Sequence, residues 1–294
     1  MQDYRPNMVL STQEYKVVGT RPIGHDGVDK VTGRALYGAD IQLPGLLHGK
    51  VLRSPHAHAR ILSIDTSAAL ALSGVRALLT NADLPEAPDV IQDLGEGAVN
   101  VRSLSHNILA RNKVLYKGHA VAAVAATTPH IAEEALLLIK VEYEVLPTIT
   151  DPQDAMQPGR PMVHPGTESN VLSRSRTGRG DVAAAEANST YISRGTYQTQ
   201  CIEHGYMEPE CAIAYPSKKG LEILSQGQGV YEDRKQIAKL MGWPEDRVRV
   251  VLVPNGGGFG GKEDLSVQGH AALMAYLLQK PVKVRLNRSE SINM

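Results

Sequence analysis

Most of the structural information in the chain lies in one segment, Val248-Arg249-Val250-Val251-Leu252-Val253-Pro254-Asn255-Gly256-Gly257-Gly258-Phe259-Gly260-Gly261-Lys262-Glu263-Asp264. Its apolar, β-branched beginning predicts a buried strand. The glycines of residues 256–261 then predict a loop that tolerates positive φ and brings bare backbone close to a ligand. Helical spacing resumes from Glu263 and continues to residue 278. A strand, a glycine loop and a helix start in this order direct backbone N–H groups at an anion or oxyanion.

Two nucleotide-binding motifs nearly match this loop. Residues 256–262 fit G-x-x-x-x-G-K, but Glu263 follows where a phosphate loop needs a Ser or Thr hydroxyl for Mg²⁺. The glycines also fit G-x-G-x-x-G, but the strand predicted at 281–286 is not closed by the acidic residue that a dinucleotide fold needs. Phe259, the single Phe of the chain, indicates instead a loop that packs against something.

Length and composition narrow the function classes. A chain of 294 residues with 42% hydrophobic content predicts two domains, or one large one, with a real core. A formal net charge of zero argues against partners such as nucleic acid or an acidic membrane surface. Residues 1–10 lack the apolar core of a secretory signal, and no apolar run is long enough to span a bilayer. These features predict a cytoplasmic protein without a membrane span.

Cysteine usage argues against a metal cluster in this chain. Cys201 and Cys211 match no zinc or iron–sulfur spacing, and they are predicted to be reduced residues of a packed strand pair. Iron–sulfur centres, if the protein carries out electron chemistry, are therefore expected on another chain.

Proline and glycine positions predict how the chain is divided. An N-terminal arm is expected at 1–18, an α/β domain at 19–150, a connector at 151–185 and a second domain at 186–294. In the first domain, residues 83–112 look irregular, and Thr128 with Pro129 predicts the start of a helix over 129–138. Further strands are predicted at 46–53, 75–80, 119–126, 139–144, 191–199, 212–215 and 221–225, and a further helix at 230–241.

Three loops of the second half are expected to converge. They comprise residues 204–210, 226–229 and 256–263, and each lies at an end of a predicted strand. Each carries amide side chains or glycine N–H groups, with carboxylates close by. Groups of this kind bind an oxo or phosphate-like anion without replacing a metal ligand.

The order of these motifs resembles the xanthine dehydrogenase/aldehyde oxidase family, the molybdenum hydroxylases. Gln228, a helix, the turn Leu240-Met241-Gly242-Trp243-Pro244, a strand and the loop Gly-Gly-Gly-Phe-Gly-Gly-Lys-Glu follow the family pattern without gaps. His204 and Glu208 match its His-x-x-x-Glu segment. In the first half, Gly33 to Asp40 and the Ser-Pro-His-Ala-His-Ala stretch at 54–59 also match, so the resemblance covers most of residues 18–294. It implies a mixed α/β (α+β) fold, with a small hammerhead domain before the first part of a molybdopterin-binding domain.

The resemblance also implies a cofactor and a reaction. Molybdenum would be held by a pterin dithiolene, either as molybdopterin or as its cytosine dinucleotide. Gln228 would donate its amide to an oxo ligand, and the N–H groups of Phe259 and Gly260 would contact another metal oxygen and the cofactor, none of them as direct side-chain ligands. The cofactor-binding set is then Gln228, Gly257, Gly258, Phe259 and Gly260, and Glu263 would face the substrate. The implied reaction hydroxylates a carbon of an aldehyde or N-heterocycle with oxygen from water, and the electrons leave through iron–sulfur and FAD subunits.

The chain looks short for the large subunit of this family. The family's general base lies far downstream, so no catalytic residue is assignable here, and neither Glu263 nor Glu208 is that base. We therefore expect a fragment or a split subunit that is inactive until another chain completes the molybdopterin domain. Two alternatives stay open: a molybdopterin-binding homologue without chemistry, and a phosphate-loop nucleotide-binding protein. A carboxylate at Glu263 favours a polar heterocycle, because it can accept a hydrogen bond from a ring N–H.

Overall fold

The fold is given by a computed structural model that describes residues 15–94, 98–164 and 167–294. It is a mixed α/β structure, as predicted. Its strands are β1 (Leu47–Arg53), β2 (Ala59–Asp65), β3 (Val75–Leu79), β4 (Ile91–Asp93), β5 (Ala98–Asn100), β6 (Lys113–Val114), β7 (Ala120–Ala126), β8 (Lys140–Val145), β9 (Cys211–Pro216), β10 (Leu221–Ser225), β11 (Val248–Leu252) and β12 (Val282–Arg285). Its α-helices are α1 (Gly27–Val31), α2 (Ser67–Ala71), α3 (Val101–Ile108), α4 (Pro129–Leu138), α5 (Pro152–Ala155), α6 (Val182–Ala187), α7 (Val230–Leu240), α8 (Gln268–Leu278) and α9 (Arg288–Ile292). None of the helices in the described ranges is long and apolar enough to cross a bilayer.

One seven-stranded sheet joins the two halves of the chain. Its strand order is β11-β10-β9-β12-β1-β7-β3, so strands from the second half lie beside strands from the first. The junction is the parallel pairing of β1 with β12, in which Leu47 faces Val282. The predicted boundary at 151–185 therefore separates two stretches of sequence that share one sheet, and the boundary itself remains a prediction.

The helix α4, which follows β7 in the chain, packs on one face of that sheet. The strand β7 is buried along its whole length, which explains its unbroken apolar sequence. The helix α4 begins where it was predicted, because the Thr128 side chain accepts a hydrogen bond from the Ile131 N–H and Pro129 occupies the first turn. Alanines on both elements let the helix lie close to the strand. The resulting core comprises Ala69, Ala122, Val124, Ala126, Ala132, Ala135 and Ile139.

Residues 83–112 are not irregular throughout, and this prediction was wrong. The helix α3 lies within them, capped by Asn100, whose side chain accepts a hydrogen bond from the Ser103 N–H at 3.0 Å. Its apolar residues contact the second half of the chain, where His270 Nε2 lies 2.7 Å from the Ile108 carbonyl oxygen. Neighbouring prolines and glycines hid a helix of two turns that is stabilised mainly by this long-range packing.

Residues 191–199 form no strand, because their backbone has no ladder partner among the described residues. The last long helix begins at Gln268, not at Glu263, and turns occupy the residues between them. The N-terminal arm lies outside the described residues up to residue 14, and residues 15–18 are exposed.

The sheet places two loops side by side. The strands β10 and β11 run parallel, with Ser225 opposite Leu252 at their carboxyl ends. The Val253 N–H then donates to the Ser225 carbonyl at 2.9 Å, so the chain leaves both strands at the same edge. Loops that follow neighbouring parallel strands meet at that edge, which is where α/β proteins bind ligands.

Candidate functional site

The glycine loop and the loop after β10 are joined through the side chain of Gln228. Its Oε1 accepts hydrogen bonds from the Gly260 N–H at 2.9 Å and the Lys262 N–H at 3.4 Å. The Gln228 N–H in turn donates to the Lys262 carbonyl at 2.8 Å. Because Oε1 has two backbone donors, the amide nitrogen is the end that remains available. Gln228 is exposed and its Nε2 has no partner in the described part of the chain, so the site presents an oriented amide donor to solvent.

The glycine loop is open, and its backbone is held in unusual conformations. Phe259 has φ +52°, a left-handed backbone conformation that residues other than glycine rarely adopt. Gly257 and Gly260 also have positive φ. A Cβ on Gly258 would collide with the Gln228 amide, so this position needs glycine for close approach. Phe259 is 73% exposed, and its ring would lie 3.1 Å from a Cβ placed on Gly257. Strain of this type is typical of functional loops.

The Lys262 side chain points away from the open face of the glycine loop and is buried beneath it. Its side chain is 2% exposed, donates from Nζ to Gln226 Oε1 at 2.8 Å and lies 3.6 Å from Glu208 Oε2. Its Nζ also lies 4.5 Å from the centre of the Tyr206 ring. Burial lowers the pKa of Lys262, which the neighbouring carboxylates partly oppose. A phosphate loop needs this lysine on the ligand and a helix directly behind it, so the phosphate-loop alternative is wrong.

The third predicted loop also reaches the glycines. Glu208 accepts a hydrogen bond from the Gly256 N–H at 2.7 Å. His204 and Tyr206 lie so close to Gly261 that a Cβ there would come within 2.8 Å of both rings. The structure therefore brings together the three loops that were expected to converge.

A buried polar cluster behind the site was missed from the sequence. Ser225 Oγ donates to Asp233 Oδ2 at 2.9 Å and accepts from the Gly227 N–H at 3.0 Å. Gln268 Nε2 lies 3.4 Å from the same carboxylate oxygen. Asp233 is fully buried, its Oδ1 has no partner, and burial raises its pKa to about 7. The sequence does place Asp233 four residues before Ile237, on the buried face of the helix, and this spacing could have identified it as a buried carboxyl group.

Glu263 lines an acidic cavity next to the Gln228 loop. The cavity has a volume of about 280 Å³ and is lined by Leu94, Ala98, Val99, Glu232, Gln236, Glu263 and Asp264. A Cβ on Gly229, the neighbour of Gln228, would lie 2.9 Å from Glu232 Oε2. The cavity thus begins beside the residue that carries the free amide. Three carboxylates favour a ligand that offers N–H donors or positive charge.

The donor set suits a bound group that brings its own ligands. Within the described ranges, no three His, Cys, Asp or Glu side chains group closely enough to hold a metal ion. The open face offers an amide and backbone N–H groups, and its lysine is turned inward. Such neutral donors stabilise an anionic or oxo oxygen without displacing it.

Two family models match the chain. Residues 32–147 match the aldehyde oxidase and xanthine dehydrogenase a/b hammerhead domain. Residues 163–294 match the molybdopterin cofactor-binding domain, which contains all three loops of the site.

Several known proteins are similar over most of the chain. A probable xanthine dehydrogenase subunit of Bacillus subtilis (strain 168) is 38% identical over 91% of this chain and 34% of its own length. The nicotinate dehydrogenase large molybdopterin subunit of Eubacterium barkeri is 35% identical over 95% of this chain and 63% of its own. The crystal structure of quinoline 2-oxidoreductase from Pseudomonas putida 86 superimposes with a TM-score of 0.81 at 32% identity, covering 95% of this chain and 36% of that one. The chain therefore spans between a third and two thirds of these relatives.

Proposed function

This chain belongs to the xanthine dehydrogenase/aldehyde oxidase family of molybdenum hydroxylases, and we propose that it forms part of an enzyme that hydroxylates a carbon of its substrate with oxygen from water. Since the chain spans only part of its relatives, the activity is proposed for the assembled enzyme. The chain contributes the site loops, and we propose that the general base lies on the polypeptide that supplies the remainder.

The observation that carries this proposal is the orientation of Gln228. Two backbone N–H groups hold its Oε1, so its Nε2 faces outward as a fixed donor. When bound, the molybdenum–pterin group would supply the two-electron redox chemistry. Gln228 Nε2 and the Phe259 N–H, which has no hydrogen-bond partner in the described ranges, would hold that group in place. Gly260 would act indirectly, because its N–H is used to fix Gln228.

The surrounding residues fit such a group. Gly257 and Gly258 leave a surface without side chains, because a Cβ on Gly258 would collide with Gln228 and one on Gly257 would be in tight contact with Tyr206 and Phe259. The lysine of the glycine loop, Lys262, is buried against Gln226 and Glu208, and the Arg288 side chain is engaged by the Tyr206 and Met207 carbonyls. A cation in direct contact would bind an oxo group more tightly than turnover permits, whereas neutral donors would orient it.

For the substrate we propose an N-heterocycle in preference to an aldehyde. The acidic cavity containing Glu263 and Glu232 offers carboxylates that would accept hydrogen bonds from ring N–H groups. The names of the three relatives refer to xanthine, nicotinate and quinoline, which are all nitrogen heterocycles.

The assembly is also a proposal. A second polypeptide or segment would complete the molybdopterin domain, and iron–sulfur and FAD subunits would carry the electrons away. The pterin would be present either as molybdopterin or as its cytosine dinucleotide. Both Cys201 and Cys211 are free thiols, which supports a reducing, cytoplasmic location.

The test uses the enzyme co-produced with all its subunits. Gln228→Ala should lower the rate of heterocycle oxidation about 100- to 1,000-fold, the loss that follows removal of one oriented donor. Molybdenum content should stay near one per site, and the thermal unfolding temperature should fall only slightly, because alanine removes two hydrogen bonds at an exposed position. Gln153→Ala, an exposed amide on the connector, is the matched control and should retain full rate. A wild-type complex that lacks molybdenum, or a Gln228→Ala enzyme with full rate, would overturn the proposal.

A further inference from the structure

The segment formed by residues 190–205 lies on the surface and has no backbone hydrogen bonds to other described residues. Paired backbone begins again with Glu208. Every residue in it is exposed. A buried or ladder-forming strand would satisfy these N–H and C=O groups, so the backbone of the segment is unpaired within the described residues.

The side chains of this segment are those of a strand. Tyr191 and Tyr197 are each 92% exposed, and Ile202 is 75% exposed. Large aromatic and β-branched side chains favour strands, and a group of them in solvent marks an interaction surface. The single charged side chain between residues 190 and 202, Arg194, already pairs with Glu186 at 2.9 Å. With its charge neutralised, the segment is suited to recognition through its main chain and its apolar side chains.

We propose that residues 190–199 are a docking strand, which pairs along its backbone with a strand of the polypeptide that supplies the rest of the molybdopterin-binding domain. This inference rests on the proposed function. The chain spans 34% of one relative and 36% of the similar crystal structure, so the greater part of each of these proteins lies outside the matched region.

The position of the segment connects assembly to the site. It leads directly into the loop in which His204 and Tyr206 lie against Gly261. Tyr206 is buried, and the Arg288 side chain donates to its carbonyl oxygen. A polypeptide that pairs with residues 190–199 would therefore be linked to the glycine loop through residues 200–206, and docking would order the chain that leads into the site.

The first test is hydrogen exchange measured by mass spectrometry. The amides of residues 190–199 should exchange within seconds in the isolated chain and at least about 100-fold more slowly in the complete enzyme, as expected for paired amides. The buried strand β10 should be protected in both samples and serves as the reference. Equal exchange of 190–199 in both samples would overturn the proposal. Protection in the isolated chain together with a dimer in sedimentation would assign the segment to a second copy, and would overturn it also.

The second test uses a pair of substitutions. Tyr197→Pro removes a backbone donor and blocks pairing, so the amount of completing polypeptide that co-purifies should fall at least about tenfold. Tyr197→Phe keeps the backbone and the ring and should assemble normally. Both isolated variants should unfold at the wild-type temperature, because Tyr197 is exposed. Normal assembly of Tyr197→Pro would refute the docking strand.

These outcomes are distinguishable from failure of the proposed function. An enzyme that contains molybdenum and turns over, but in which 190–199 exchange freely, contradicts the docking strand alone. A complex without molybdenum in which 190–199 are protected contradicts the proposed function alone.

Discussion

Replacing the buried carboxyl behind the site should change how stability depends on pH. Burial raises the pKa of Asp233 to about 7 from an ordinary value of 3.8. Between these two values the folded protein keeps the proton while the unfolded chain releases it. Wild-type stability therefore falls as pH rises through this window, and the loss persists above it. A difference of about three pH units corresponds to about 4 kcal/mol.

Asp233→Asn removes this loss but introduces a smaller one. The asparagine oxygen can replace Oδ2, which accepts from Ser225 and Gln268. Its NH₂ group then occupies the position of Oδ1, which has no partner, and an unsatisfied buried donor costs about 1–3 kcal/mol. The variant should be more stable than wild type by about 1–3 kcal/mol at pH 8 and less stable by a similar amount at pH 4.

The assay is urea unfolding of both proteins at several pH values between 4 and 9. Burial lowers the pKa of His119 and His270 to about 4, which reduces stability as pH falls below 6.5, but both proteins share this effect and it cancels in the difference. The exposed Asp246→Asn is the control and should show a difference independent of pH. A stability difference for Asp233→Asn that is constant between pH 4 and 8 would refute the reasoning.

Two further substitutions test the packing of the fold. Gly118→Ala should release the helix α9, because a Cβ there would overlap the Asn293 carbonyl group. Residues 288–294 should then exchange their amide hydrogens faster than in the wild type. Unchanged exchange would contradict this prediction. Gly159→Ala, which also has positive φ but open surroundings, should cost only about 1 kcal/mol. Lys262→Met should destabilise the chain by about 3 kcal/mol in urea unfolding, because it leaves a buried carboxylate without its cation, whereas the exposed Lys280→Met should be neutral.

Sequence patterns within a few residues of one another predicted the helices and strands whose stabilising contacts are also close in sequence. The helix α4 was predicted over its full length, because its cap at Thr128 and its first-turn proline are adjacent in sequence. The strand β10 was also predicted over its full length. Residues 191–199 carry the composition of a strand, but pairing needs a partner that composition does not reveal. The helix α3 was missed for the opposite reason, since it packs against α7 and α8, far along the chain.

The candidate site was predicted as a set of loops but not as a set of atoms. Order and spacing identified Gln228 and the glycine loop as neighbours, and the structure joins them. The same information could not show that the Gly260 N–H is used to fix that amide. Nor could it show that Lys262 turns inward, because a lysine after a glycine run is ordinarily expected at the surface or on a ligand.

The parallel pairing of β1 with β12 has a consequence for synthesis on the ribosome. Leu47 emerges early, but its neighbour Val282 is translated far later. At about 5–20 residues per second, the edge of β1 waits roughly ten to fifty seconds for that neighbour. During this interval the nascent chain exposes an unsatisfied strand edge, which is a ready template for misassociation. Holdase chaperones that bind the nascent chain in this period should therefore raise the yield of folded protein.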